Sequence, residues 1–562
     1  MKLDFKPAFL SIKGYTKEKF FTDLMAGIIV GIVALPLAIA FGIASGVSPK
    51  EGLVTAIIAG FIISFLGGSN VQIGGPTGAF IIIVYGIIQQ FGLSGLLVAT
   101  VIAGVILVLM GVLHLGTVIR FIPYPIIVGF TSGIALTIFT TQIKDLFGFD
   151  MESVPADFTL KWIEYAKAAD SLNGWSLAIG LASILIIIYT SKVVKKIPGS
   201  LMAIILMTVI GYVLKTCCGI TGIETIGDRF EIKAALPEPM LIPINMDTIN
   251  LLLPSAFTIA MLGAIESLLS ATVADGVTGD RHNSNTELIA QGVANIITPI
   301  FGGIPATGAI ARTMTNINNG GRTPVAGIVH AAVLLLILLF LAPLTRHIPM
   351  SCLAGVLIIV AYNMSEWRTF RSILRNPKSD VVVLLTTFIL TVIFDLTIAI
   401  EIGLLFAMLL FMRRIAETTS VSVVTEELDL SRDNEAVRTP DNDKLSLPKG
   451  VEVYEIDGPF FFGIANKFDE QMKQLGKKPE VRIIRMRKVP FIDSTGLHNL
   501  EILCKSSKKE NIQIILSGVN ERVYATLMRN SFSRHVAEEC ICKNIHEALA
   551  KAREVTEGKN LS

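Results

Sequence analysis

The chain has 562 residues, of which 52% are hydrophobic and only 17% charged, with a mean hydropathy of +0.64. These values exclude an ordinary soluble globular protein, and the formal net charge of +2 gives no reason to expect nucleic acid as a partner. Between Gly52 and Ile119 there is no Asp, Glu, Lys or Arg, which leaves room for several membrane crossings of roughly 20 residues each. The composition indicates a polytopic helical membrane protein.

The N-terminal segment, residues 1–21, mixes lysines with aromatic residues and lacks a cleavable apolar region that ends in small residues. We interpret it as a cytoplasmic segment lying on the membrane lipid surface. The six cysteines have neither paired ligand spacing nor nearby histidines. Free thiols are therefore expected instead of a disulfide framework, and no metal site is predicted.

Residues 22–412 are predicted to form a transmembrane domain, because apolar runs punctuated by Gly, Pro and charge continue as far as Arg413-Arg414. Fourteen spans are predicted, at 22–46, 52–68, 77–91, 95–119, 123–146, 174–194, 198–217, 253–275, 284–301, 306–318, 324–343, 351–365, 379–395 and 396–412.

Positive charge predicts the orientation of these spans. With the N-terminus inside, an even span number puts both termini in the cytoplasm, as expected for the inner membrane of a bacterial-type cell. The inner side then receives the basic residues Arg120, Lys192, Lys195, Lys196, Arg281, Arg322, Arg368, Arg371, Arg375 and Lys378. The outer side receives an acidic loop with Asp150, Glu152, Asp157 and Glu164.

Two short stretches resemble each other: Gly-Gly-Pro-Thr-Gly-Ala at 74–79 and Gly-Ile-Pro-Ala-Thr-Gly-Ala at 303–309. Each interrupts a hydrophobic span, and the two spans are the third and the tenth, which enter the membrane from opposite sides. Interrupted spans at corresponding places in two halves are typical of a transporter binding site. The pattern predicts an inverted repeat of seven spans each.

From residue 413 the composition changes. Residues 413–448 are interpreted as a polar linker, residues 449–556 as a small cytoplasmic α/β domain and residues 557–562 as a tail. Short strands alternate here with helices, which is typical of a small sheet covered by helices. Strands are predicted at 451–456, 481–486 and 512–517, and helices at 464–475, 494–508, 520–530 and 544–554.

Longer motifs carry a family resemblance. Ala-Leu-Pro-Leu-Ala-Ile-Ala-Phe-Gly at 34–42, the Gly-Gly-Pro-Thr-Gly segment, and Gly-Gly-Ile-Pro-Ala-Thr-Gly-Ala-Ile-Ala-Arg-Thr at 302–313 resemble the SulP anion transporters (sulfate permeases), also called solute-carrier family 26. Val-Pro-Phe-Ile-Asp-Ser-Thr-Gly-Leu at 489–497 is similar to the core of a STAS domain, which is typical of that family.

The resemblance implies about fourteen spans in a seven-plus-seven inverted repeat with the fold of uracil permease. In that fold a core bundle holding the substrate moves against a gate bundle, usually within a homodimer. The resemblance also implies a small anion substrate such as sulfate, chloride, bicarbonate or a dicarboxylate, without selecting one of them.

The two interrupted segments are the predicted substrate site. We expect helices to begin near Pro76 and Pro305 with their N-termini facing each other, since proline suits a first helical turn and glycine lets a backbone approach a ligand closely. Such N-termini offer free N–H donors to an oxyanion. The alternative is that the small residues simply permit close helix packing. The predicted substrate-binding residues of this pair are Pro76, Thr77, Gly78, Ala79, Thr307, Gly308 and Ala309.

Two charged residues accompany this site. Arg312 follows Pro305 within an apolar stretch and, as the resemblance supports, is predicted to attract the substrate; the alternative is a helix end that extends its side chain to the interface. Glu266 is the only charged residue between Asp247 and Asp275. Desolvation disfavours a charged carboxylate there, so Glu266 is predicted to carry a coupling proton, with Ser270 beside it. A structural Glu266–Arg312 ion pair is the alternative.

In family members the matching acidic position is associated with cation coupling, and an aspartate with a nearby threonine accompanies sodium. Because this chain has Glu266, Ser270 and Ile310 at these places, we favour protons over sodium. The resemblance also suggests that Ala40 and Phe41 form a wall of the pocket.

In the C-terminal domain, Ser494 and Thr495 lie at a strand-to-helix junction. They are either helix caps or, as the resemblance to phosphorylated bacterial regulators suggests, a regulatory switch. A cytoplasmic partner could bind this domain.

The sequence contains neither a catalytic constellation nor a phosphate-binding Gly-x-x-x-x-Gly-Lys-Ser/Thr loop, so neither an enzyme nor an ATP-driven pump is predicted, and no cofactor is expected. We predict a secondary active transporter of an inorganic oxyanion, sulfate first, by proton symport and alternating access. The alternatives are a bicarbonate or C4-dicarboxylate transporter of the same family, a nucleobase permease, and a membrane-anchored signalling protein.

Overall fold

The computed structural model describes residues 5–11, 15–117, 123–151, 154–155, 157–193, 198–217, 219–220, 222–230, 235–240, 242, 246–394, 396–424, 427–429, 444–461 and 479–559. Arg120, Lys195, Lys196, Glu152 and the predicted helix at 464–475 lie outside these residues. The chain divides into two compact units, Met1–Ala407 and Met408–Ser562.

The first unit is helical, and its last helix, Leu396–Thr418, continues past Ala407 into the second unit. Each of the fourteen spans predicted from the sequence overlaps a helix, and seven of the described helices are long and apolar enough to cross a membrane. The helices are α1 (Lys17–Ala44), α2 (Pro49–Leu66), α3 (Ile81–Val112), α4 (Tyr124–Thr141), α5 (Ile143–Phe147), α6 (Phe158–Lys167), α7 (Gly174–Val193), α8 (Gly199–Thr216), α9 (Ile226–Arg229), α10 (Met246–Thr278), α11 (Ser284–Ile297), α12 (Ile310–Asn318), α13 (Val325–Phe340), α14 (Ala342–Thr345), α15 (Met350–Met364), α16 (Trp367–Ile373), α17 (Lys378–Ile393) and α18 (Leu396–Thr418).

Helix α3 contains two of the predicted spans. Gly92 has φ 67° and ψ −175° inside it, which breaks the helix between the third and fourth spans. Glycine is the residue that adopts such a positive φ without steric cost. The first half of α3, residues 81–91, is therefore a short helix of its own.

The membrane helices pack as two groups. Helices α1, α2, α3, α10, α11, α12 and α13 pack mainly against one another, and so do α4, α7, α8, α15 and α17. Small residues allow close helix crossings in the first group; for example, a Cβ on Gly104 would lie 2.7 Å from the carbonyl oxygen of Gly292 on α11. Close backbone contact of this kind favours helix association in lipid. The hydrophobic effect does not drive association there, because the acyl chains are as apolar as the side chains.

Two strands of two residues lie inside the first group. Strand β1 (Gly74–Gly75) pairs antiparallel with β2 (Thr307–Gly308), with Gly74 opposite Gly308 and Gly75 opposite Thr307. The two similar motifs of the sequence are therefore in direct contact.

The second unit contains a five-stranded sheet. Its strands, in chain order, are β3 (Ser420–Val424), β6 (Val451–Asp457), β7 (Val481–Lys488), β8 (Gln513–Ser517) and β9 (Ile541–Cys542), in the spatial order β3-β6-β7-β8-β9. β3 is antiparallel and the others are parallel. A separate two-stranded pair consists of β4 (Glu427–Asp429) and β5 (Lys444–Ser446).

Three helices accompany this sheet: α19 (Ser494–Lys509), α20 (Glu521–Arg529) and α21 (Ile545–Lys559). The predicted strands β6, β7 and β8 and these three helices agree with the sequence analysis. Strand β3 lies in the stretch that we interpreted as a linker, and its edge position explains the difference. It alternates exposed and half-buried residues, so its sequence carries little hydrophobic signal.

Candidate functional site

The antiparallel pair of β1 and β2, called the β1–β2 crossing below, brings together the two motifs predicted as the substrate site. Thr77 is 8% exposed and Thr307 is fully buried, so neither faces the surroundings of the protein. The backbone at this depth has internal partners: Asn295 on α11 donates to the Ala306 carbonyl (2.8 Å) and accepts from the Ala306 N–H (2.9 Å). Irregular backbone inside a membrane domain is tolerated where protein satisfies it.

The helices start later than the sequence analysis expected. Thr77 precedes a 3₁₀ turn, Gly78–Phe80, and α3 begins at Ile81; Ala309 precedes α12, which begins at Ile310. Thr77 and Ala309 are both extended. The prediction that proline occupies the first turn was wrong, because the strand pairing keeps this stretch extended.

Some of the expected anion donors are used within the protein. The Ala309 N–H donates to the Ile73 carbonyl at 2.9 Å, and the Gly308 N–H donates to Ser267 Oγ at 3.3 Å. The N–H groups that follow belong to the first turn of α12. They have no carbonyl partner within the helix, because no helical turn precedes them. Ile310 at this turn is 42% exposed, so the N-terminus of α12 borders open space.

The two threonines of the motifs have different surroundings. Thr307 Oγ1 donates to the Gly263 carbonyl at 3.1 Å and lies 2.5 Å from Ser267 Oγ, both on α10. Its hydroxyl therefore fixes β2 to α10. Thr77 Oγ1 instead donates to Glu266 Oε2 at 3.0 Å.

Glu266 is half-buried on α10, next to the crossing. No ion pair within 4.0 Å joins it to Arg312 among the described residues, so the structural ion pair that the sequence analysis left open is not formed here. Ser270 lies one turn further along α10 and donates to Thr313 Oγ1 at 3.3 Å, while the same oxygen accepts from the Ile73 N–H at 3.1 Å. Ser270 thus connects α10 to α12 and to the segment before β1.

Arg312 is 2% exposed and extends from α12 to the other motif, where its Nη2 donates to the Pro76 carbonyl. Its Nη1 has no hydrogen-bond partner in the described part of the chain. A Cβ on Gly75 would lie 2.5 Å from that Nη1, so glycine is required for the guanidinium to fit there. The arginine does not extend to a helix end, which excludes the interfacial alternative for this conformation.

The remaining predicted residues are buried inside the membrane unit. Ala40 and Ala79 are fully buried and Phe41 is 6% exposed, all in one apolar cluster with Phe80. A Cβ on Gly78 would lie 2.9 Å from the sulfur of Met364 on α15, which belongs to the second helix group. Gly78 is therefore one of the places where the two groups approach each other.

Two further polar residues belong to this site but were not among the predicted site residues, Thr313 and Gln72. Thr313, the hydroxyl shared by Ser270 and Ile73, follows Arg312 directly and had only its polarity as a signal. Gln72 donates through Nε2 to the Ser267 carbonyl at 3.2 Å, and its Oε1 has no partner among the described residues. A polar residue within an uncharged stretch of the sequence was the available signal for Gln72.

In the second unit, Ser494 and Thr495 are exposed at the start of α19. The N-cap is Asp493, whose carboxylate accepts from the Gly496 N–H at 2.7 Å. The alternative that Ser494 or Thr495 caps this helix was wrong, because Asp493 precedes both and occupies the extended N-cap conformation.

Comparisons with known proteins agree with this architecture. The model of the sulfate permease family matches residues 20–387, and the STAS domain model matches residues 445–552. One relative is YvdB of Bacillus subtilis (strain 168), which is named as a candidate sulfate transporter. It is 40% identical over 529 residues, covering 94% of this chain and 97% of the relative.

The bicarbonate transporter BicA of Picosynechococcus sp. is 29% identical over 547 residues, covering 94% of each chain. Among solved structures, the murine Slc26a9 anion transporter in its inward-facing state superposes with a TM-score of 0.86 at 20% identity, covering 98% of this chain and 94% of that one. At that identity the likeness concerns the fold alone.

Proposed function

Because this chain belongs to the sulfate permease family, we propose that it is a secondary active transporter of an inorganic oxyanion, with sulfate as the first candidate. The name of its relative YvdB supports sulfate. No specific observation favours the two rival functions, a nucleobase permease and a sensor that has lost transport.

The observation that carries the proposal is the position of Arg312. Its buried guanidinium has one nitrogen without a described partner, next to Gly75, and Arg312 itself belongs to the first turn of α12. A buried cation is costly unless an anion or hydrogen-bond acceptor meets it. An oxyanion bound between the N-termini of the 3₁₀ turn at Gly78 and of α12 would supply that acceptor, with both helix dipoles adding attraction.

The anion then moves by alternating access. The first helix group carries the β1–β2 crossing, and the second group contributes Met364 opposite Gly78. Sliding of one group against the other would open the crossing to one membrane side at a time, as in other repeat-built transporters. On this view the wall of the substrate site is formed by Pro76, Thr77, Ala79, Ala40 and Phe41.

Glu266 is the proposed coupling group. Its carboxyl accepts from Thr77, which belongs to the first motif, so a proton gained or lost there changes the hydrogen bonding of the substrate segment. The hydroxyl of Ser270 donates a hydrogen bond to the hydroxyl of Thr313, which leaves both oxygens less suited to bind sodium. Proton symport is therefore preferred to sodium symport.

A second candidate substrate is bicarbonate, because the bicarbonate transporter BicA is 29% identical over most of both chains. Accumulation of labelled sulfate, bicarbonate and succinate in proteoliposomes, with an imposed proton or sodium gradient, tests the proposal. Sulfate uptake driven by the proton gradient is expected; bicarbonate uptake driven by sodium, or no anion uptake, would overturn it.

The rest of the assembly is proposed on family grounds. The chain forms a homodimer in a bacterial-type inner membrane with both termini in the cytoplasm, as its basic residues indicate. Ser494 and Thr495 are exposed at a helix N-terminus, where a phosphate group is electrostatically favoured. Their phosphorylation, or a partner bound to this domain, would regulate transport.

A further inference from the structure

A pocket of about 330 Å³ lies along the first half of α3. It is lined by residues of that half-helix, from Ile81 to Gln90, and by residues of α1, α4, α6, α10 and α17. Its lining begins one residue after Phe80, the end of the turn that follows Thr77. At 1.5 Å per residue, this half-helix extends for about 16 Å, so the pocket leads away from the proposed site towards one membrane surface.

Lys161 is the cation of this pocket. It lies on α6, a helix between the predicted spans, and is 1% exposed. Its Nζ makes no hydrogen bond or ion pair among the described residues. An ammonium group held out of water without an acceptor is unfavourable, so the pocket is suited to an anion that would provide one.

Asp157, which also lines the pocket, is the obvious competing partner. Its carboxylate caps α6, accepting from the Leu160 N–H at 2.9 Å and from the Thr159 N–H at 2.8 Å. No ion pair within 4.0 Å joins it to Lys161 in the described part of the chain. Burial lowers the pKa of Lys161 to about 8, and the negative charge of Asp157 opposes this only in part.

We infer that this pocket captures a small oxyanion at Lys161 on its way to or from the β1–β2 crossing. The inference rests on the proposed transport function for the identity of the anion, but not for its existence. The other polar residues that line the pocket are uncharged, namely Tyr85, Gln90, Thr137, Thr141, Ser255 and Thr391. The Tyr85 hydroxyl donates to the Val154 carbonyl and so positions the segment before α6.

Protection of Lys161 from acetylation tests the inference directly. The purified full chain is pulsed with acetic anhydride, with or without sulfate or bicarbonate at equal ionic strength, and acetylation is read by peptide mass spectrometry. Lys167 on the same helix is the internal control, since its side chain is 67% exposed and pairs with Glu164 at 2.7 Å. Sulfate or bicarbonate is expected to slow acetylation of Lys161 at least threefold without affecting Lys167.

An equal acetylation rate for Lys161 with and without these anions would overturn the inference. A complete lack of acetylation at Lys161 would overturn it too, because the pocket would then not admit small molecules. Protection that is matched by gluconate, a large anion, would also contradict a site for small oxyanions. This readout needs no transport. Protection in a chain that moves no anion would defeat the proposed function alone, while sulfate transport without protection would defeat the capture site alone.

Substitutions give a second readout. Lys161→Gln should raise the KM for sulfate entering from the Lys161 side at least fivefold, and Lys161→Arg should restore it, while Lys167→Gln leaves it unchanged. An unchanged KM in a folded Lys161→Gln protein would contradict the inference. If Lys161→Gln does not fold, the acetylation experiment on the unaltered chain decides.

Discussion

Thr77 Oγ1 donates a hydrogen bond to Glu266 Oε2 across 3.0 Å, joining the first motif to the middle of α10. This contact connects the segment proposed to hold the anion with the carboxyl proposed to carry the proton. Substrate binding and protonation of Glu266 then share one hydrogen bond. Coupling between the two events is the expected consequence.

Replacing Glu266 with Gln should abolish accumulation of sulfate driven by a proton gradient, while sulfate–sulfate exchange continues. The amide accepts the hydrogen bond from Thr77 as the carboxyl does, but it cannot gain or lose a proton. Counterflow and gradient-driven uptake in the same proteoliposomes measure the two activities. Glu238→Gln, at an exposed residue, is the control. Accumulation that persists in Glu266→Gln would remove this residue from the coupling step.

Arg312→Gln should raise the KM for the anion by about tenfold or more, since a hydrogen bond to a charged group contributes about 1.5–3 kcal/mol. Arg312→Lys should recover only part of this, because a lysine cannot donate to the Pro76 carbonyl and an anion through one rigid plane. Initial uptake rates over a range of sulfate concentrations give both constants. Arg281→Gln, on an exposed loop, should behave as the unaltered protein; an equal effect there would point to general surface charge instead.

Gly308→Ala should destabilise the membrane unit, because its Cβ would overlap the side-chain amide nitrogen of Gln72. Overpacking of this kind costs about 1–3 kcal/mol. The change is measured as a lowered unfolding temperature in detergent. Gly276→Ala is the matched control, since its Cβ would have no heavy atom within 4 Å. Adding Gln72→Ala should restore part of the lost stability, and no restoration would show that the strain lies elsewhere.

Capture of sulfate at Lys161 should weaken as pH rises from 7 to 9. The pKa of Lys161 is lowered to about 8 by burial, so the ammonium is charged below that value and neutral above it, whereas sulfate keeps its charge throughout. Protection from acetylation, normalised to Lys167, should therefore decline with pH. In Lys161→Arg the KM for sulfate should no longer rise over this range, because arginine stays protonated. A pH profile shared by both proteins would mean that another group titrates.

Asp493→Ala should loosen the start of α19 by about 1 kcal/mol, the usual cost of losing an N-cap. Ser494→Ala should have little effect, since Ser494 follows the cap and is exposed. Hydrogen exchange of the Gly496 amide in the full chain distinguishes the two. Equal protection losses would restore the interpretation that the serine hydroxyl caps the helix.

The spans were predictable because hydrophobicity is a local property of the sequence, and Gly92 was compatible with a break between the third and fourth of them. The meeting of the two motifs was suggested by their similarity alone. The starts of the two short helices were not predictable, because the extended conformation of Thr77 and Ala309 accompanies a strand pair between distant residues. Proline is common at the first turn of a helix, but here the tertiary pairing places both prolines before the helices begin.

Side-chain partners at the site were less accessible to sequence reasoning. Glu266 and Arg312 are the two charges of an apolar region, so an ion pair between them was a natural hypothesis. The structure instead gives Glu266 a threonine and Arg312 a backbone carbonyl. Which partner a buried charge takes depends on distances of a few ångströms that spacing along the chain does not determine.

The pairing of β1 with β2 also has a consequence for biogenesis. Because β1 has its partner only in the second half of the chain, the first broken helix cannot complete its structure until Thr307 has been synthesised and inserted. During that interval its polar backbone needs a substitute environment, either water or the insertion machinery. Neither half of the membrane unit should therefore form a stable binding site when it is produced without the other.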